Sequence, residues 1–154
     1  MLMQRVISAL VLIPPVVAAV WFLPTTAISA VLAVFFLIGA WEWSQLMRLQ
    51  ATLPRVTYVV TMAAVFATLY VLRHVPDLKL AILGLALLWW VSALLWVIRY
   101  PAGLQERDSR QALKAVIGLV LLGPAFLALI LLHAREQGPL WILFLLVLIW
   151  AADT

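Results

Sequence analysis

The sequence predicts an all-α protein, a polytopic transmembrane helix bundle of about six spans forming a single domain over residues 1–154. Three observations lead there. Of the 154 residues, 68% are hydrophobic and only 10% charged, whereas a soluble domain is about half apolar and about a quarter charged. A water-soluble globule of this size keeps too much surface to hide so much apolar side chain. The apolar residues also come in long runs, with no charge between Arg5 and Glu42. In hydrocarbon every peptide group must find its partner internally, and helices are the natural way to do so. The same composition argues against a soluble enzyme and a disordered chain. The absence of cysteine excludes disulfides, thiolate metal sites and cysteine nucleophiles.

A helix crossing the bilayer core needs roughly 20 apolar residues. The first apolar run is too long for one span and breaks at Pro24-Thr25-Thr26. Span one is therefore Val6–Leu23, and span two runs from Ala27 to about Met47. Span three is Val56–Leu72, between Arg55 and Arg73. Span four is Leu80–Ile98, between Lys79 and Arg99. Span five is Ala115–Leu132, after Lys114. Span six begins at Leu140 and runs to Ala152, where Asp153 interrupts it. Arg5 followed by Val6–Ile13 resembles the start of a secretory signal. However, apolar chain continues past Pro14-Pro15 and no A-x-A site closes it. The two prolines are expected to kink span one, which a surrounding bundle tolerates.

Six spans place the N-terminus, the loop at 48–55, the loop at 99–114 and Asp153 on one side. That side carries Arg5, Arg48, Arg55, Arg99, Arg107, Arg110 and Lys114, against Arg73, Lys79 and Arg135 on the other. Cytoplasmic loops are enriched in Lys and Arg, so the N-terminus and Asp153 are expected in the cytoplasm. Trp41, Trp43, Tyr58, Trp96 and Tyr100 then fall near cytoplasmic ends, and Trp21, Tyr70 and Trp141 near the opposite ends, as interfacial belts do. Trp89 and Trp90 sit mid-span and are expected to pack on neighbours or face lipid. The pI near 10.1 thus reports loop asymmetry, and no nucleic-acid partner is expected. The loop Arg99–Lys114, with its mixed charges, suggests a short surface helix.

Asp153 is the leading candidate for chemistry. An ionisable group within a span is costly, by about 2.5–3.5 kcal/mol on insertion scales, and such groups usually face a cavity and have a function. A carboxylate is also a hard oxygen ligand suited to Mg²⁺ bridging phosphates. The alternative is that Asp153 only ends span six at the interface. Glu42, between Trp41 and Trp43, is either a polar group facing a cavity or an interfacial carboxylate. Arg107, Arg110 and Lys114 could attract phosphates or simply mark the cytoplasmic side. His74 and His133 read as loop residues without ligand spacing. Ala63 and Ala67 offer a small-residue helix contact. No phosphate loop, zinc motif, nucleophile elbow or dinucleotide fingerprint is present.

The segment Leu148-Ile149-Trp150-Ala151-Ala152-Asp153-Thr154 resembles the start of the W-A-A-D-T-G-A-Y segment of bacterial phosphatidate cytidylyltransferases (CDP-diacylglycerol synthases). Arg5-Val6-Ile7-Ser8-Ala9-Leu10, Gly39-Ala40-Trp41-Glu42-Trp43 and Gly138-Pro139-Leu140 resemble the same family. The resemblance implies cytidylyl transfer from CTP to phosphatidate, giving CDP-diacylglycerol and pyrophosphate with Mg²⁺. It also implies a multi-pass protein of the bacterial inner membrane, tending to form a homodimer. It assigns Asp153 to metal coordination or phosphate positioning, as a catalytic and metal residue. The family's continuation, with further Lys, Asp and His signatures, is not in this sequence. The resemblance therefore implies the N-terminal portion of such an enzyme, inactive alone. A transporter or channel component with an ion at Asp153, and a membrane scaffold without chemistry, are the alternatives from other classes.

Overall fold

The computed structural model describes residues 2–99 and 111–152, with side chains from residue 11 onward except Leu12. Six α-helices follow one another: α1 (Leu2–Phe22), α2 (Thr25–Leu46), α3 (Thr52–Leu72), α4 (Pro76–Ile98), α5 (Gln111–His133) and α6 (Gly138–Ala152). No strand occurs among the described residues. Each helix starts two to four residues before the apolar run that marks it in the sequence. The apolar run marks the part suited to hydrocarbon, whereas a helix extends into the polar first turn as well. Among the described residues, four helices, α2 to α5, are long and apolar enough to cross a membrane. The apolar helix α6, Gly138–Ala152, is shorter.

The surface suits a membrane protein. α4 has no buried residue at all, and its Leu87, Leu88, Trp90, Leu94 and Trp96 are all exposed. A soluble monomer does not present so continuous an apolar surface to water. Of the two mid-span tryptophans, Trp90 faces outward and Trp89 is half-buried. α4 starts with Pro76 in its first turn, where the missing N–H removes nothing from the helix. Asp77 follows in that turn and favours the positive end of the helix dipole.

The chain divides into two compact units. Unit 1 comprises Met1–Val31 and Leu129–Thr154. In it α1 packs on α6, and Val20, Ile28, Ile130 and Ile142 are buried. Its polar centre is His133, only 6% exposed. The ring sits between Thr25 Oγ1, 3.0 Å from Nδ1, and the Val20 carbonyl, 3.1 Å from Nε2. A carbonyl can only accept, so Nε2 donates and Nδ1 accepts from the threonine hydroxyl. The sequence explains why Val20 needs this. Its carbonyl would receive the N–H of residue 24 in a continuing helix, but residue 24 is proline and has none. The last helical bond of α1 is Leu23 N–H to Ala19 O, at 3.0 Å. His133 supplies the donor that Pro24 lacks. It is therefore the buried last residue of α5 and not the loop residue expected.

The α5–α6 turn in the same unit is tight. Gln137 adopts a left-handed conformation with φ 58°. Gly138 lies against the His133 carbonyl so closely that a Cβ would overlap it, which accounts for glycine at that position.

Unit 2, Leu32–Ala128, is held by an aromatic cluster from three helices. Phe36 of α2 meets Phe66 of α3 and Phe126 of α5 edge-on, with centroids 5.9 and 5.8 Å away. Phe66 and Phe126 are 4.7 Å apart. Such pairs contribute about 0.5–1.5 kcal/mol beyond area burial. Gly118 lies against Tyr58, and Phe66 against Phe126 eight residues further along both helices. The two contacts advance together, so α3 and α5 run in the same direction, as a returning α4 between them requires. Ala67 is exposed. The close approach of α3 to α5 falls on Gly118. Pro124 is accommodated inside α5, as Pro14 and Pro15 are inside α1.

Replacing His133 by leucine, similar in bulk, strips the buried Val20 carbonyl of its donor. The expected cost is about 2 kcal/mol, read as a lower Tm of the detergent-solubilised protein. An unchanged Tm contradicts the role given to the ring.

Candidate functional site

Asp153, Arg107 and Arg110, and most of the Arg99–Lys114 loop with its expected surface helix, lie outside the described residues. What the structure places is the end of unit 2 where α2 stops and α3 and α5 begin.

α2 ends on a Schellman turn. Leu49 N–H reaches Ser44 O at 3.4 Å, and Arg48 N–H reaches Gln45 O at 2.8 Å. The residue between must be left-handed, and Arg48 is, with φ 57°. Glycine is the usual occupant because a side chain costs about 1 kcal/mol there. This turn thus keeps a cation at an energetic cost. Arg55 folds back onto the same turn, its Nε donating to Leu49 O at 2.6 Å. Its guanidinium lies 5.8 Å from the centre of the Trp41 ring, within cation–π range. Lys114 reaches the turn from α5, its Nζ 3.5 Å from Leu46 O. Two basic side chains, Arg55 and Lys114, therefore reach residues 46–49.

Trp43 ties this end together. Its indole N–H donates to the Lys114 carbonyl at 2.8 Å, joining α2 to the first turn of α5. The indole and the Tyr58 hydroxyl both press on Gly118, leaving no room for a Cβ. Tyr58 is 8% exposed, and its hydroxyl has no hydrogen-bond partner among the described residues. Glu42, between the two tryptophans, is exposed on α2. The belt reading of Trp41 and Trp43 thus misses their roles as a ring under Arg55 and an interhelical pin. Nothing in the sequence signalled this, since Gly39 and Gly84 are equally isolated in helical runs and have nothing close by.

Beside this pin lies an apolar cleft of about 520 Å³ between α3 and α5, walled at one end by Met47 and Leu49. α3 contributes Leu53, Thr57 and Thr61, and α5 contributes Ala112, Ala115 and Leu119. Each set repeats every four residues or so, which is one face of a helix. Among the described residues no three His, Asp or Glu side chains come together as metal ligands would.

The profile of the cytidylyltransferase family matches residues 3–154. A Pseudomonas aeruginosa protein named phosphatidate cytidylyltransferase is 36% identical over 153 residues, covering 99% of this chain and 55% of that protein. A Haemophilus influenzae protein of the same name is 30% identical over 170 residues, covering 100% of this chain and 58% of that one. The chain spans about half the length of the curated relatives it matches. No solved structure matches it.

Substitution of Gly118 by alanine is expected to destabilise the protein by about 1–3 kcal/mol through overpacking. Gly84→Ala, with nothing near the new methyl, is neutral or gains up to about 1 kcal/mol of helix propensity. Tyr58→Phe restores part of the Gly118→Ala loss by removing the hydroxyl. Equal Tm values for the two alanine variants contradict the packing described.

Proposed function

The chain belongs to the cytidylyltransferase family, and from that premise we propose that the protein of which these helices are part transfers cytidylyl from CTP to phosphatidate. A phosphate oxygen of phosphatidate forms a bond to the α-phosphorus of CTP. The bond from that phosphorus to the β-phosphate breaks, and CDP-diacylglycerol and pyrophosphate result. The observation that carries this reading is the match over residues 3–154, with Trp150-Ala151-Ala152-Asp153-Thr154 at its end. The names of the two relatives support it.

In this reading Asp153 is the catalytic and metal-binding carboxylate. Bound Mg²⁺ would neutralise phosphate charge during transfer, and Asp153 would be one of its oxygen ligands. The described residues do not make a metal site by themselves, so further oxygen ligands would have to stand beside it. The protein sits in the bacterial inner membrane with its N-terminus and Asp153 in the cytoplasm, as the Lys and Arg distribution supports. CTP then arrives from the aqueous side while phosphatidate stays in the leaflet. The enzyme works as a homodimer.

Asp153→Asn keeps the shape of the side chain and removes its charge. In the full-length protein in membranes it is expected to lower CDP-diacylglycerol formation by about a hundredfold or more, with expression unchanged. Full activity in that variant removes Asp153 from the mechanism.

A further inference from the structure

The α3–α5 cleft is mostly apolar, with Gln111 at the start of α5 and Tyr58 as polar linings besides two threonines. Thr57 and Thr61 face it, but their hydroxyl hydrogens are committed to Leu53 O at 3.0 Å and Thr57 O at 2.8 Å inside α3. A sugar or a base entering here would give up its hydrogen bonds to water for few in return, which is costly. An alkyl chain gives up none. The end of the cleft is different. Met47 and Leu49 close it, and Arg55 and Lys114 are tethered to carbonyls of the same turn. Arg48 stands in that turn in a left-handed conformation. The segments that form the walls, residues 47–61 and 111–119, contain no Asp or Glu. α3 also begins here on Ala51, with no side-chain cap. Its first N–H groups and the positive end of its dipole therefore favour an anion.

We infer that this cleft is a binding site for an anionic phospholipid, with one acyl chain between α3 and α5 and the phosphate at the α2–α3 turn beside Arg55 and Lys114. The pairing follows from the order of the surfaces. An apolar slot that ends in a cationic turn matches an acyl chain that ends in a charged headgroup. Binding here does not depend on cytidylyl transfer, because neither Asp153 nor CTP enters the argument.

The test uses the full-length protein carrying Asp153→Asn, reconstituted in phosphatidylcholine vesicles, so that turnover plays no part. The probe is phosphatidate with a photoactivatable group in one acyl chain, and labelled peptides are mapped after irradiation. Labelling is expected to concentrate on residues 53–61 and 112–119. It should fall about tenfold for a phosphatidylcholine probe bearing the same chain, since each basic residue near an anionic headgroup contributes severalfold. Arg55→Gln with Lys114→Gln should remove most of that preference, and Ala115→Trp, which fills the slot, should abolish cleft labelling. Equal labelling by the two lipids overturns the inference. So does labelling of α4 as heavy as that of α3 and α5. The glutamine pair keeps the test decisive if the tryptophan variant does not fold.

Discussion

A chain with so few polar side chains has to satisfy nearly every peptide group from within, and the places where a helix cannot do so organise the molecule. Pro24 withholds a hydrogen from Val20, and a histidine more than a hundred residues away supplies it. The cost of leaving such a carbonyl bare in apolar surroundings is about 2 kcal/mol, which is large against the few tenths that ordinary surface contacts contribute. That single shortage fixes the ends of α1 and α5 and the start of α2 within unit 1. The Trp43 indole works on the same principle in unit 2, where one donor and one carbonyl set the register of α2 against α5.

Close packing then follows from small residues placed at these polar ties. Gly138 allows the α5–α6 turn to close over the His133 carbonyl, and Gly118 lets Trp43 and Tyr58 reach the backbone of α5. The Phe36, Phe66 and Phe126 cluster fills the space deeper in unit 2. Elsewhere the helices bury little, and α4 buries nothing. For a chain whose surroundings are hydrocarbon, this is reasonable, because outward apolar side chains carry no hydrophobic penalty there.

The sequence made the six helices legible because their signal is local: a run of apolar residues ended by charges, Pro24 or a polar turn. Each apolar run lies within its helix or within a residue of its end. The roles of His133, Trp43 and Gly118 were not legible, because each depends on a partner 60 to 113 positions away along the chain. Arg48 is an intermediate case. A helix end was expected near Met47, but nothing in Leu46-Met47-Arg48-Leu49 announces a left-handed residue, since glycine usually fills that position. For the site, the motif at Trp150–Thr154 pointed to a family that the whole-chain match then bore out. The cationic turn and the apolar cleft had no sequence signature, because they are assembled from three helices.

These parts fit the proposed function, in which the full-length protein brings CTP to phosphatidate in the leaflet. The most direct measurement follows the label from CTP in membranes containing the full-length protein and added phosphatidate. Label on the α-phosphate should enter the lipid fraction, while label on the γ-phosphate should leave as pyrophosphate. Label from the γ-phosphate in lipid, or none in lipid from either position, would contradict cytidylyl transfer.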